Sequence, residues 1–154
     1  MRAPSDDRLE RQRNGVTGMR LAGAAFFYFA IVFGAGFLLG PIRVLLLEPR
    51  LGPLSAVALE APFLLAVMIA AARLIPCAMR LDLRPVTLLA CGGLALVMQQ
   101  MADLAVGIAL RGMDLGAQMA RFATVEGLIY LALLVLFALM PWLVHSWSRP
   151  TAPG

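Results

Sequence analysis

Four apolar runs separated by arginine-bearing polar stretches set the pattern of this chain. The first opens at Leu21, stays uncharged to Gly40, and resumes past Arg43 to Leu47. Three more cover residues 54–74, 85–110 and 122–145. Each run is close to the ~20 residues a helix needs to cross a hydrocarbon core of ~30 Å. The pattern predicts an all-α integral membrane protein, a four-helix bundle running up-down-up-down over residues 21–147. A polar basic tail (1–20) precedes the bundle and a short tail (148–154) follows it. A basic stretch before an apolar one also fits a signal peptide. The uncharged first run, however, exceeds the usual core of ~7–15 residues, and no small-x-small cleavage site closes it. It reads as the first span. The short connections make consecutive helices the expected neighbours.

Composition agrees. Hydrophobic residues make up 61% and charged residues 14%, with a mean hydropathy of +0.85. Soluble domains sit near half apolar and a quarter charged, so lipid is the solvent that fits this chain. The net charge of +4 comes from arginine alone. The arginines flank the apolar runs and form no aromatic-interleaved patch, which points to lipid and not to nucleic acid. Nine of them lie in the first tail, the 73–84 connection and the C-terminal end; four (Arg43, Arg50, Arg111, Arg121) lie on the other side. The positive-inside rule places both termini of this multi-pass protein in the cytoplasm, with anionic lipid headgroups as partners. A second copy or a larger membrane complex stays open as a further partner. The 73–84 connection alternates charged and apolar residues and is expected to lie flat in the headgroup layer.

The candidate chemistry is the set of polar groups inside the spans. A charge there costs roughly 2.5–3.5 kcal/mol at the centre of a span on insertion scales. Arg43 sits near the far end of the first span, Glu60 about two turns into the second, Asp103 about two turns before the end of the third, and Glu126 about one turn into the fourth. All four fall in the same half, the periplasmic one in this orientation. Gln99 and Gln100 share a helix face with Asp103 by their spacings of four and three, and Gly107 continues that face. The expected cluster sets Arg43 against Glu60 and Asp103, with Gln99, Gln100 and Glu126 completing it. Arginine suits that place because its fork of donors serves two carboxylates and does not deprotonate. The cluster has two readings: a clasp that fixes helix register, or a polar cavity that binds an ion, a proton or a small ligand. Gly36 and Gly40 form a small-xxx-small pair, which with Gly107 predicts close helix packing.

The remaining residues add no chemistry. Cys77 and Cys91 read as small buried hydrophobes on the reducing side. Two cysteines without a neighbouring histidine make no metal site, and no metal or cofactor is expected. His145, the only histidine, lies between Trp142 and Trp147 and reads as interfacial. No G-x-S-x-G, P-loop, H-E-x-x-H or dinucleotide-binding glycine pattern occurs, so no catalytic residue is assigned.

The stretch from Gly36 to Gly52 (GFLLGPIRVLLLEPRLG), followed by LEAP over 59–62, resembles a group of small four-helix bacterial inner-membrane proteins of uncharacterised function. That resemblance covers the first two helices. It implies four spans in a bacterial inner membrane and a unit formed by Gly36, Gly40, Arg43, Glu48, Pro49, Arg50, Glu60 and Pro62, and it brings no activity with it. Small multidrug exporters also have four helices, but they are shorter and carry a glutamate in the middle of helix one, where this chain has no acid.

The sequence thus points to a non-enzymatic membrane protein, a scaffold, accessory subunit or small sensor. A small transporter or proton-coupled permease using the same carboxylates is the alternative. The orientation is open to direct measurement: reporter domains fused at either end should both report from the cytoplasm. A periplasmic signal from either fusion would overturn the assignment.

Overall fold

The computed structural model describes residues 4–111 and 125–147. Helix α1 spans Pro4–Ile42 and passes through a five-residue π-helical turn, Arg43–Leu47, into the short α2, Glu48–Leu51. Helix α3 covers Pro53–Ala78, α4 Pro85–Arg111 and α5 Val125–Trp147. The fold is an all-α four-helix bundle, and four of its helical stretches are long and apolar enough to cross a membrane.

Large apolar side chains face outward: Phe26, Leu38, Leu45, Phe63, Met101 and Val135 are all exposed. Many of the buried positions are small, among them Ala24, Ala25, Ala71, Ala72, Cys91 and Ala95. This inversion suits a bundle in lipid. Outward-facing leucine costs nothing there, and small residues let helix backbones approach.

Residues 4–20, expected as a tail, continue α1. Adding residues to an existing helix gains one hydrogen bond for each residue fixed and needs no new nucleus. The apolar stretch from Thr17 to Leu51 has 35 residues. At 1.5 Å per residue it is longer than the ~30 Å core, so its ends project beyond the hydrocarbon.

The 73–84 connection also differs from its expected form, because Arg73–Ala78 is the last turn and a half of α3. The helix ends in a Schellman arrangement. The Leu81 N–H donates to the Pro76 carbonyl (2.9 Å) and the Arg80 N–H to the Cys77 carbonyl (3.1 Å), with Arg80 left-handed at φ 49° and Leu81 buried. At the other end Gly52, at φ 79° and ψ 161°, reverses the chain between α2 and α3 in a conformation that glycine alone adopts freely.

Helix α1 packs against α3 and α4, and α5 packs against the same two. Consecutive helices are neighbours for α1/α3 and for α4/α5. By contrast α3 and α4, joined by the six-residue 79–84 turn, stand at opposite corners. Two causes are visible. Small residues on α1 admit both α3 and α4, and Gly92 of α4 lies so close to the backbone of Ala138 on α5 that a Cβ at Gly92 would collide with it. The centre is filled across the other diagonal. Tyr28 of α1 stacks flat on Phe137 of α5, with ring centroids 4.6 Å apart and planes 9° apart, and both residues are buried.

Tyr28 does a second job. Pro141 has no N–H to offer the carbonyl four residues back, which belongs to Phe137. The Tyr28 hydroxyl donates to that carbonyl at 2.8 Å. In hydrocarbon no water would replace the missing donor. Tyr28→Phe should therefore cost about 1 kcal/mol of unfolding free energy, the scale of a hydrogen bond between membrane helices. In a Pro141→Ala background, where the helix supplies its own donor, the same change should cost close to nothing. Denaturation in mixed micelles reads both values; equal costs in the two backgrounds would break the link between Tyr28 and Pro141.

Candidate functional site

The tight packing around Tyr28, Phe137 and Gly92 occupies the half of the bundle that carries the 79–84 turn. The opposite half opens into a cavity of about 500 Å³, within the size range of small-molecule sites. All four spans line it. Phe137 forms part of its floor, so the ring that seals one half also closes the bottom of the other.

One wall is ionic. Arg43 opens the π-helical turn, and its Nε lies 3.3 Å from Glu60 Oε2 and 3.6 Å from Glu48 Oε1. Nε makes no aligned hydrogen bond with either acid, so the contacts are between charges. The local backbone explains how three charged groups meet. Residues five apart fall on different faces of an α-helix. In the π turn the Glu48 N–H reaches back to the Arg43 carbonyl, an i→i+5 closure that carries Glu48 round towards Arg43. Pro41 and Pro49 bracket this turn; each lacks a donor and crowds the carbonyl four residues earlier, which favours a departure from regular helix. Glu60 arrives from α3, antiparallel to α1.

The facing wall is built by α4 and α5. Gln99 Nε2 donates to Asp103 Oδ2 at 3.0 Å, the i,i+4 contact that the spacing predicts. The Tyr130 hydroxyl donates to the same carboxylate oxygen, and it lies 3.3 Å from Gln100 Oε1. Gln99 Oε1 is buried and takes no hydrogen bond.

The expected residues thus fall into two groups. Arg43 and Glu60 meet on one wall; Gln99, Gln100 and Asp103 meet on the other. Among the described residues Arg43 forms no ion pair with Asp103, because the cavity lies between the walls. The Glu126 side chain lies outside the described residues. Gly36, Gly40 and Gly107 all line the cavity. A Cβ at Gly36 would only touch Leu64, 3.8 Å away, and one at Gly40 would meet nothing within 4 Å. At these two positions the glycines leave space, and the close helix contact is at Gly92. Sequence reasoning missed Tyr130 and the aromatic lining Phe33, Phe37 and Phe137. A signal existed for Tyr130: a tyrosine within a span needs a partner for its hydroxyl.

At the far end Cys77 is exposed and unbonded to Cys91, which is buried. Cys77 Sγ lies 3.7 Å from His145 Nε2, and His145 Nδ1 lies 2.9 Å from the Pro141 carbonyl. The expectation of a buried hydrophobe therefore fits Cys91 and fails for Cys77, which sits at the end of α3 where the bundle stops.

No family model matches the chain, and no curated protein or solved structure matches it either.

The ionic wall makes a stability prediction. Arg43→Met strips Glu60 and Glu48 of their counter-charge and should cost roughly 1–3 kcal/mol, below the ~3–5 of a fully buried pair because Arg43 is partly exposed. Adding Glu60→Leu should recover most of the loss, since a packed apolar pair replaces buried ions at little cost. Thermal unfolding in detergent reads both variants, and a midpoint unmoved by Arg43→Met would rule out the pairing.

Proposed function

We propose that this multi-pass membrane protein holds a small ligand in the chamber between its four spans and acts as a non-enzymatic sensor or accessory subunit. The observation that carries this reading is the separation of the two polar walls. A clasp would bring Arg43, Glu60 and Asp103 into one contact. Here an ionic wall and an acceptor-rich wall face each other over about 500 Å³, with aromatic rings between them. A concave, largely apolar site with a few convergent polar groups is the usual form of a ligand pocket. In the orientation expected from arginine placement, the chamber occupies the periplasmic half and the stacked Tyr28–Phe137 pair closes the cytoplasmic half.

Transport is the second reading. Helices α1, α3 and α5 carry interior prolines at Pro41, Pro62, Pro76 and Pro141. Such positions bend readily, and Pro141 lies one turn beyond the floor of the chamber. A carrier would use them to move the opening from one face to the other.

The chamber can be filled on purpose. Gly40→Phe adds a ring where a Cβ meets nothing within 4 Å, so it should fold and close off space. Native mass spectrometry of wild-type protein drawn from its own membrane in mild detergent should show a retained small molecule, and the Gly40→Phe protein should lose it. Wild-type protein carrying only bulk lipid, with the same spectrum for the filled variant, would overturn the binding reading. Flux of the bound compound into liposomes would then separate carrier from sensor.

A further inference from the structure

Resting on the chamber reading, we infer that the ligand is an amphipathic cation, a protonated amine attached to an apolar, ring-sized body. Charge is unevenly compensated around the cavity. Arg43 is already engaged by two carboxylates, Glu60 at 3.3 Å and Glu48 at 3.6 Å, so the ionic wall has no cation left to offer an anionic ligand. Asp103 is in the opposite condition. Its described partners, the Gln99 amide and the Tyr130 hydroxyl, are neutral, and among the described residues no cation pairs with it. One helical turn away Gln99 Oε1 is buried with no donor. Among the described residues the Asp103 carboxylate thus lines the cavity with no counter-charge, beside a buried amide oxygen whose own hydrogen bond is unmade.

An ammonium brings three donors and one positive charge to that deficit. Two oxygens are too few for a calcium ion, which takes 6–8 oxygen ligands. The rest of the lining selects the body. Phe33 and Phe37 give aromatic surface that suits both an apolar group and the cation beside it. A carboxylate or phosphate ligand would meet Glu60 and Asp103 with no free arginine.

The test uses three probes of one shape on the wild-type chain in zwitterionic phosphatidylcholine nanodiscs: 1-naphthylmethylamine, 1-naphthylmethanol and 1-naphthoate, with empty discs subtracted. The amine should bind at least tenfold tighter than the alcohol, and the naphthoate most weakly. Asp103→Asn should shrink the preference for the amine to about twofold while leaving the alcohol's affinity unchanged. The comparison among probes needs no variant, so it holds even if Asp103→Asn fails to fold. An alcohol that binds as tightly as the amine overturns the cation and leaves the chamber reading standing. A wild-type protein that binds none of the three, and so matches Gly40→Phe, overturns both. Competition by phosphatidylethanolamine placed in the disc would assign the amine to a lipid headgroup, and its absence to a free amine; each supports the ammonium.

Discussion

A carbonyl released by a proline at membrane depth must find a donor, and much of this bundle follows from how Phe137 finds one. Pro141 frees the carbonyl, Tyr28 supplies the hydroxyl, and the two rings stack as a consequence of that reach. The contact spans the diagonal between α1 and α5. It therefore fixes the rotation of both helices about their axes, and with it the face each turns toward α3 and α4. At about 1 kcal/mol, the scale of a hydrogen bond between membrane helices, this bond acts together with the ring stack in setting how the four helices meet.

The stack also divides the molecule. On the side of the 79–84 turn, small residues and the Gly92–Ala138 approach bring the helices together. On the other side Gly36 and Gly40 leave space that larger side chains would have taken up. Space remains, and the polar groups gather around it. Placing charge at that depth is expensive unless it is paired or hydrogen-bonded. Each wall solves that problem separately, the first by pairing Arg43 with two acids and the second by giving Asp103 an amide and a hydroxyl.

How far this could be read in advance depends on the range of each interaction. The spans and the all-α class were legible because lipid imposes a length and a composition on any helix that crosses it. The Gln99–Asp103 contact was legible because it lies within one helix. The diagonal placement of α3 and α4 was not, since it depends on where Tyr28 and Gly92 meet residues more than forty positions away. The glycines of α1 show the limit most clearly. Gly36-x-x-x-Gly40 is compatible with a touching pair of helices and equally with a void. Only the position of Leu64 and the emptiness around Gly40 decide between them. The π turn was similarly hidden: Pro41 and Pro49 announce a disturbance, but not that it would bring Glu48 round to Arg43.

The two walls are unequal in a way that bears on what the chamber can select. The ionic wall is close to saturation, and its excess negative charge is partly open to solvent, with Glu48 more exposed than Glu60. Water and salt screen that excess. The Asp103 wall carries a half-buried acid whose described partners, an amide and a hydroxyl, are neutral, so its charge is uncompensated there. Discrimination between ligands should therefore come from the α4–α5 side, while Arg43 and Glu60 hold α1 and α3 in register around it. The clasp and the chamber then cease to be rival readings, because the helices that the ionic wall secures are the ones the opposite wall needs in order to enclose anything.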